Sequence, residues 1–476
     1  MPPAFGTSGL RGLVSELTDD VITDIVRAYL ATCQHGGSVI VGWDLRASSP
    51  AIAETVLAAI RAAGVHPVRA GVVPTPALAA AARGCGAVMV TGSHIPADRN
   101  GLKFYTTAGE LTKQDEQAIL AASGQDWPLA RTSPEAEEAP GVAAAYVARF
   151  VSAYGPLALT DLRIGVYQHS SVARDLMMDI FTGLGATPVA LARADHFIPV
   201  DTEAVAAETR AQLAAWCAEH RLDALVSTDG DADRPLLCDA QGNVVAGDVL
   251  GVLTARALGA DVVCTPVSSN SMVDMVPEFA AVHRTRIGSP YVLAAMEGVL
   301  AADPATRVVG YEANGGFLLG FAAAGPTGPL PPLMTRDSML PVIAPLALAH
   351  ARGQGVAGLL HDLPGRFTAA DRLQDIPTDA STGLINLLSV DARARAAFFD
   401  AGAPEAGLDL TDGLRVLFGG GQVVHLRASG NAPECRCYTE APTAAEAQRL
   451  LAAHLQKLRN ALRDRMTRHE TDDEVI

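Results

Sequence analysis

Short, nearly continuous apolar runs alternate along this chain with longer segments whose apolar residues return at helical spacing. Residues 38–42, 65–72 and 86–91 read as buried strands. Between them, 50–63 and 75–83 read as helices, with Pro50 in a first turn and Gly64 as a C-cap. A helix over 18–32 precedes them, capped by Thr18 or Asp19. Strands alternating with helices predict a parallel sheet with covering helices. Residues 102–106 are expected to return as an antiparallel edge strand, and Thr112 to cap a helix reaching Ser123.

An acidic, proline-bearing stretch over 126–140 has no apolar period and reads as a linker. After a helix over 142–154 the alternation restarts: strands over 162–167, 187–192 and 224–228, helices over 172–184 and 203–220. A third unit follows, with strands over 260–265 and 307–310, helices over 272–279 and 291–301, and an edge strand over 317–322. A helix over 336–351 closes it, and 353–358 reads as a break. The last segment changes character. A hairpin of 414–418 and 422–427 turns over three glycines, a third strand covers 435–440, and an amphipathic helix runs over 443–463 before a charged tail expected to fray. The fold class is therefore α/β: three similar α/β domains with mixed sheets (1–139, 140–245, 246–362) and a C-terminal α+β domain (363–476).

Composition narrows the function classes. The 476 residues are too many for a single core. A formal net charge of -16 makes the chain a poor partner for nucleic-acid backbone. Lysine occurs only at Lys103, Lys113 and Lys457, so basic groups that hold an anion must be local and few. The seven cysteines are odd in number and form no CxxC pair, which fits reduced thiols in a cytoplasmic protein. Cys435 and Cys437 alternate with Arg436 and should share one face. No secretory signal and no apolar run of membrane-spanning length are read.

Four loops carry candidate chemistry. Thr-Gly-Ser-His-Ile-Pro over 91–96 presents Ser93 at the carboxyl end of a strand, where ligands sit in open α/β sheets. A polar turn is the plainer reading. Residues 228–234 space Asp229, Asp231 and Asp233 on one short turn, closed by Arg234. Carboxylates this close repel unless a cation holds them, and the turn is too short for an EF-hand, so Mg²⁺ fits best. Glu312 and Asn314 follow the 307–310 strand and suit sugar hydroxyls, or else a capped turn. Arg427, Ser429, Gly430, Asn431 and Arg436 surround a small-residue turn able to converge on one phosphate. At the amino end, a glycine-rich turn over 5–12 either bends the chain or aims its amides and Arg11 at an anion.

These loops, in this order, resemble those of the α-D-phosphohexomutases over essentially the whole chain. The resemblance implies four domains around a central cleft and a phosphoserine at the start of each cycle. It implies Ser93 as the phosphoserine, with Ser93, Asp229, Asp231 and Asp233 holding Mg²⁺. Arg11, Lys103 and His94 would serve the reacting oxygen, with Arg234 beside the metal. Glu312 and Asn314 would read the sugar, and Arg427, Ser429, Gly430, Asn431 and Arg436 the distal phosphate. The expected reaction moves a phosphoryl group between C1 and C6 of a hexose phosphate through a hexose 1,6-bisphosphate, with mannose first and glucose or glucosamine as alternatives. A catalytically silent sugar-phosphate sensor is the rival outside enzymology. No nucleic acid or membrane partner is expected, and monomer and homodimer both stay open. The chain departs from the usual motifs at Gly92 and Ile95, at Asn314 and Gly316 where serine and histidine are usual, and at Asn431 and Ala432.

Overall fold

The computed structural model describes residues 3–6, 9–127, 135–399, 402–429 and 433–473, with side chains through Arg463. Gly430 and Asn431 of the expected phosphate loop lie outside the described residues. The chain forms two compact units: Met1–Thr265 with Glu278–His283 and Gly288–Asp362, and Pro266–Pro277 with Arg284–Ile287 and Leu363–Ile476.

The first sheet of the larger unit runs in the order Ala4–Phe5, Leu10–Leu13, Arg99–Thr106, Gly86–Val90, Ser38–Trp43, His66–Val72, Glu137–Glu138. Ser38–Trp43 pairs parallel with His66–Val72 and with Gly86–Val90. Ile22, Val26, Tyr29, Val56, Ile60 and Ile119 from three covering helices pack on Val39, Val41, Val88, Val90 and Phe104. Full burial of each large apolar side chain contributes roughly 1.5–3 kcal/mol. The strand expected at the edge, Arg99–Thr106, is interior, because the supposed N-terminal turn contains the strand Leu10–Leu13, which pairs along its outer side. The supposed linker also contributes: Glu137–Glu138 pairs parallel with His66–Val72.

Two further sheets, of four and five strands, accompany it. One runs Thr187–Arg193, Arg163–His169, Ala224–Thr228, Pro235–Cys238. In the other, Val262–Pro266 pairs parallel with Val308–Tyr311, which pairs antiparallel with Phe317–Leu319. Phe317–Leu319 is not an edge strand either; Leu333–Asp337 pairs with it, where the start of a helix was expected. The helix there is Leu340–Ala351, and just ahead of it Asp337 Oδ1 accepts the N–H of Met339 at 2.8 Å. All three sheets share one device. A strand parallel to its neighbour ends in a polar loop, then returns as an antiparallel strand: Gly86–Val90 into Arg99–Thr106, Ala224–Thr228 into Pro235–Cys238, Val308–Tyr311 into Phe317–Leu319. Three of the four candidate loops are these three turns.

The smaller unit holds a five-stranded antiparallel sheet in the order Phe367–Gln374, Glu434–Ala441, Val423–Ala428, Leu414–Phe418, Glu405–Asp409. Leu384, Leu388, Leu450 and Leu458 from its helices pack on Val416, Val424, Leu426, Cys435 and Cys437. The two cysteines share the inward face, as their spacing implied. Further boundaries differ from the sequence reading. Residues 271–275 form only a 3-10 turn, Val356–His361 is helical rather than a break, the helix expected over 203–220 starts at Ala207, and the final helix continues through the supposed tail to Asp473.

Candidate active site

Ser93 closes the Gly86–Val90 strand in the left-handed region, with φ +53°, and is fully buried. A non-glycine residue holds that conformation only where its surroundings impose it. Here they do. The Ser93 N–H donates to Thr91 Oγ1 at 2.8 Å, and the Thr91 hydroxyl donates to Asp44 Oδ2 at 2.7 Å. Asp44 in turn accepts from Ser49 Oγ and from the backbone and Nε of Arg46. The four remaining N–H groups of Arg46 donate to the carbonyls of Ser93, Ile95, Pro96 and Arg99 at 2.7–2.9 Å. Its guanidinium also lies 3.9 Å from the centre of the Phe197 ring. Gly92 is where this plane passes: a Cβ there would stand 2.6 Å from Arg46 Cζ.

The Ser93 hydroxyl donates to Asp229 Oδ2 at 2.7 Å, so the serine turn and the acidic turn meet. Asp229, Asp231 and Asp233 are buried, and one oxygen of each lies within 4.8 Å of the others. Asp229 is anchored through both oxygens, Asp231 and Asp233 through one each. Asp229 Oδ1 accepts the N–H groups of Asp233 and Arg234. Asp231 Oδ2 accepts from Thr75 Oγ1 and Lys103 Nζ, both at 2.6 Å. Asp233 Oδ2 accepts from Lys103 Nζ at 2.6 Å and from Arg336 at 2.7 Å. The other oxygens, Asp231 Oδ1 and Asp233 Oδ1, are buried and receive no hydrogen bond from the described residues. Buried carboxylate oxygens without donors are costly. Open oxygens beside Ser93 Oγ form a hard oxygen set that suits Mg²⁺.

Arg234 lies along the same turn, its Nε 3.7 Å from Asp233 Oδ1 and 4.0 Å from Asp229 Oδ2. Arg11, on Leu10–Leu13, falls in the field of Arg234, Arg336, Asp231 and Asp233. His94 Nδ1 is 3.4 Å from Ser93 Oγ. Glu312 accepts from Arg336 at 3.1 Å. The Asn314 side-chain oxygen accepts the Gly316 N–H at 3.0 Å, as a capped turn would have it.

The fourth loop lies in the smaller unit. Arg427 and Arg436 stand opposite one another on adjacent strands. Arg427 Nε donates to Asp412 Oδ1 at 3.0 Å, and Arg436 pairs with Glu434 at 3.4 Å. Ser429 is buried, and its N–H donates to the Glu434 carbonyl.

Comparison with known proteins settles the family. Residues 2–126, 246–367 and 384–457 match, in turn, the models for phosphoglucomutase/phosphomannomutase alpha/beta/alpha domain I, alpha/beta/alpha domain III and the C-terminal domain. A phosphomannomutase of Sinorhizobium fredii is 43% identical, covering 97% of this chain and 100% of that protein. One of Salmonella muenchen is 42% identical over 96% of each. The chain belongs to the phosphoglucomutase/phosphomannomutase family. Among solved structures, a family member from Burkholderia thailandensis superimposes with a TM-score of 0.75 at 23% identity, covering 96% of this chain and 97% of its own. The N-acetylphosphoglucosamine mutase of Aspergillus fumigatus, in complex with GlcNAc-6P and magnesium, gives 0.57 at 14%, covering 97% and 96%. Both show the shared fold.

The charge state of this phosphohexomutase site follows from its packing. Burial, with Asp231 and Asp233 alongside, raises Asp229 well above the usual carboxylate range. Burial pushes Asp233 up as well, but Arg336, Lys103 and Arg234 outweigh it and hold it low. In Asp231, burial and Asp233 are overcome by Lys103 and by the Lys103 and Thr75 hydrogen bonds. Burial, helped by Arg234 and Arg336, lowers Arg11 to about 10. Burial and Arg234 lower His94 to about 3, so its imidazole is neutral near pH 7.

Three site residues escaped the sequence reading. Arg46 sits in the loop after the first strand of the alternation, the position that singled out Ser93, and Thr75 opens the helix that follows the second strand. Thr75 also ties the loops together, its N–H donating to the Asp231 carbonyl at 3.0 Å. Arg336 was taken for the start of a helix, and only its strand brings it to Asp233.

Proposed function

We propose that this enzyme interconverts the 1- and 6-phosphates of mannose, with Ser93 carrying the phosphoryl group. The observation that carries the reading is the Ser93 hydroxyl at 2.7 Å from Asp229, inside a buried aspartate triad with open oxygens. Two relatives at 42–43% identity over nearly their full length are named phosphomannomutases, which supports mannose first. A phosphoglucosamine mutase of Symbiobacterium thermophilum, 30% identical over 97% of this chain, keeps glucosamine in the test.

In the first half-reaction the bond between phosphorus and Ser93 Oγ breaks. A new one forms to the free hydroxyl of the hexose phosphate, giving a hexose 1,6-bisphosphate. The second half-reaction returns the other phosphoryl group to Ser93. Mg²⁺ held by Asp229, Asp231, Asp233 and the Ser93 oxygen would neutralise charge on the transferring group. Lys103 and Arg11 add fixed positive charge around that oxygen, the kind of preorganised field that stabilises a dispersed anionic transition state. The proton of the attacking sugar hydroxyl ends on the freed Ser93 Oγ, which neutral His94 flanks at 3.4 Å. Glu312 and Asn314 take the sugar hydroxyls. Arg427, Ser429, Gly430, Asn431 and Arg436 take the phosphate that is not reacting.

The test offers the 1-phosphates of mannose, glucose and glucosamine with Mg²⁺ and catalytic hexose 1,6-bisphosphate. Intact-mass analysis follows the peptide that contains Ser93. Turnover of mannose 1-phosphate with a phosphoryl group on that peptide is expected, and Ser93→Ala should lose both. Normal turnover by Ser93→Ala would remove the serine from the mechanism.

A further inference from the structure

Arg336 joins two loops that the sequence reading treated separately. From the Leu333–Asp337 strand, its guanidinium donates to Asp233 Oδ2 in the acidic turn at 2.7 Å and to Glu312 Oε2 at 3.1 Å. The residue is 4% exposed, so both ion pairs are shielded from water. A carboxylate held by a buried guanidinium keeps one orientation.

Its path depends on a single glycine. A Cβ on Gly316 would lie 2.7 Å from Arg336 Cδ and 2.8 Å from Cγ, so the arginine stem runs across the face of that residue. Those are mid-chain atoms, and they cannot yield without moving the guanidinium. The loop is closed around this passage: the Glu312 N–H donates to the Gly316 carbonyl, and the Gly316 N–H to Asn314 Oδ1. Glu312, Gly316 and Arg336 form one mechanical unit.

We infer that Arg336 is a positioning and specificity-determining residue, which aims Glu312 at the sugar hydroxyls and fixes the sugar loop to the metal-binding turn through Asp233. The inference rests on the mannose-phosphate mutase reading and deepens it. Contacts to hydroxyls remote from the reacting oxygen act in ground and transition states alike, so their loss raises KM more than it lowers kcat.

The experiment compares wild type, Arg336→Met, Arg336→Lys, Gly316→Ala and the double variant Gly316→Ala/Arg336→Met on the three hexose 1-phosphates. Arg336→Met is expected to raise KM for mannose 1-phosphate about tenfold or more and to narrow the kcat/KM differences among the sugars. Gly316→Ala should act in the same direction, yet add less than about twofold when Arg336 is already Met, since contacting residues are non-additive. Should Arg336→Met fail to fold, Arg336→Lys carries the test, because one ammonium cannot replace the fork across two carboxylates. Multiplying costs in the double variant, or unchanged sugar selectivity in the Arg336 variants, would overturn the inference. A wild-type protein that isomerises none of the sugars would instead overturn the reading beneath it.

Discussion

Arg46 donates to the carbonyl oxygen of Ser93 at 2.8 Å, and every other N–H of the same guanidinium is also committed, three to carbonyls of the Ser93 turn and one to Asp44. Arginine has five such donors in a fixed fork and lysine three on a rotor. Arg46→Lys should therefore keep the charge and lose the turn. The expected outcome is a fall in kcat/KM of about a hundredfold, the cost of misplacing a reacting group by roughly an ångström. Steady-state kinetics at saturating Mg²⁺ check it, and activity within twofold of wild type would show that the turn holds itself.

Gly92→Ala probes the same knot from the other side. The added methyl meets the Arg46 guanidinium carbon at 2.6 Å. Overpacking of this kind costs about 1–3 kcal/mol. Chemical denaturation should report a loss in that range, together with weaker phosphorylation of Ser93. A neutral substitution would mean that the arginine moves aside freely.

Asp231→Asn tests the metal set without touching the serine. Asp231 Oδ1 is one of two triad oxygens that no described residue donates to. An ion that binds only the folded protein stabilises it by about 2.7 kcal/mol at a hundred times its dissociation constant. Wild-type Tm should rise with millimolar Mg²⁺ and fall back with chelator, whereas Asp231→Asn should respond weakly. Equal responses from both proteins would place the ion elsewhere.

His425 supplies a pH dependence in the smaller unit. It is buried, its Nε2 is 2.6 Å from the Asp412 carbonyl, and it stacks on Tyr438. Burial lowers its pKa from 6.5 to about 4. Between those values the unfolded chain binds the proton and the folded chain does not. Stability present above pH 6.5 is thus lost as pH falls toward 4, by at most about 3 kcal/mol from this one residue. Unfolding followed at pH 7 and pH 5 should show a shallower decline for His425→Gln than for wild type. Parallel declines would assign the acid sensitivity to other groups.

How far the sequence could be read depended on what each segment buries. Residues 86–90 and 224–228 are buried along their whole length, so their apolar runs were plain, and the polar turns after them stood out. By contrast, Phe367–Gln374 buries only Ala369 and Leu373, and its letters give no strand period. The helix Gly247–Leu258 was passed over. Gly251 sits within it because the Tyr311 ring occupies the space of a side chain there, and glycine weakens a helical pattern. Arg11 and the aspartates were legible as candidates from their turns, and Lys103 from the scarcity of lysine. Arg336 was not, because strand pairing with Phe317–Leu319, and no local motif, carries it to Asp233.

The pairing of Leu10–Leu13 with Arg99–Thr106 binds the strand of Arg11 to the strand of Lys103. A protein truncated after Leu13 would leave the backbone of the Lys103 strand bare along one flank. An uncovered strand of that kind recruits other chains. Trimming this end would thus remove Arg11 and invite aggregation at the same stroke.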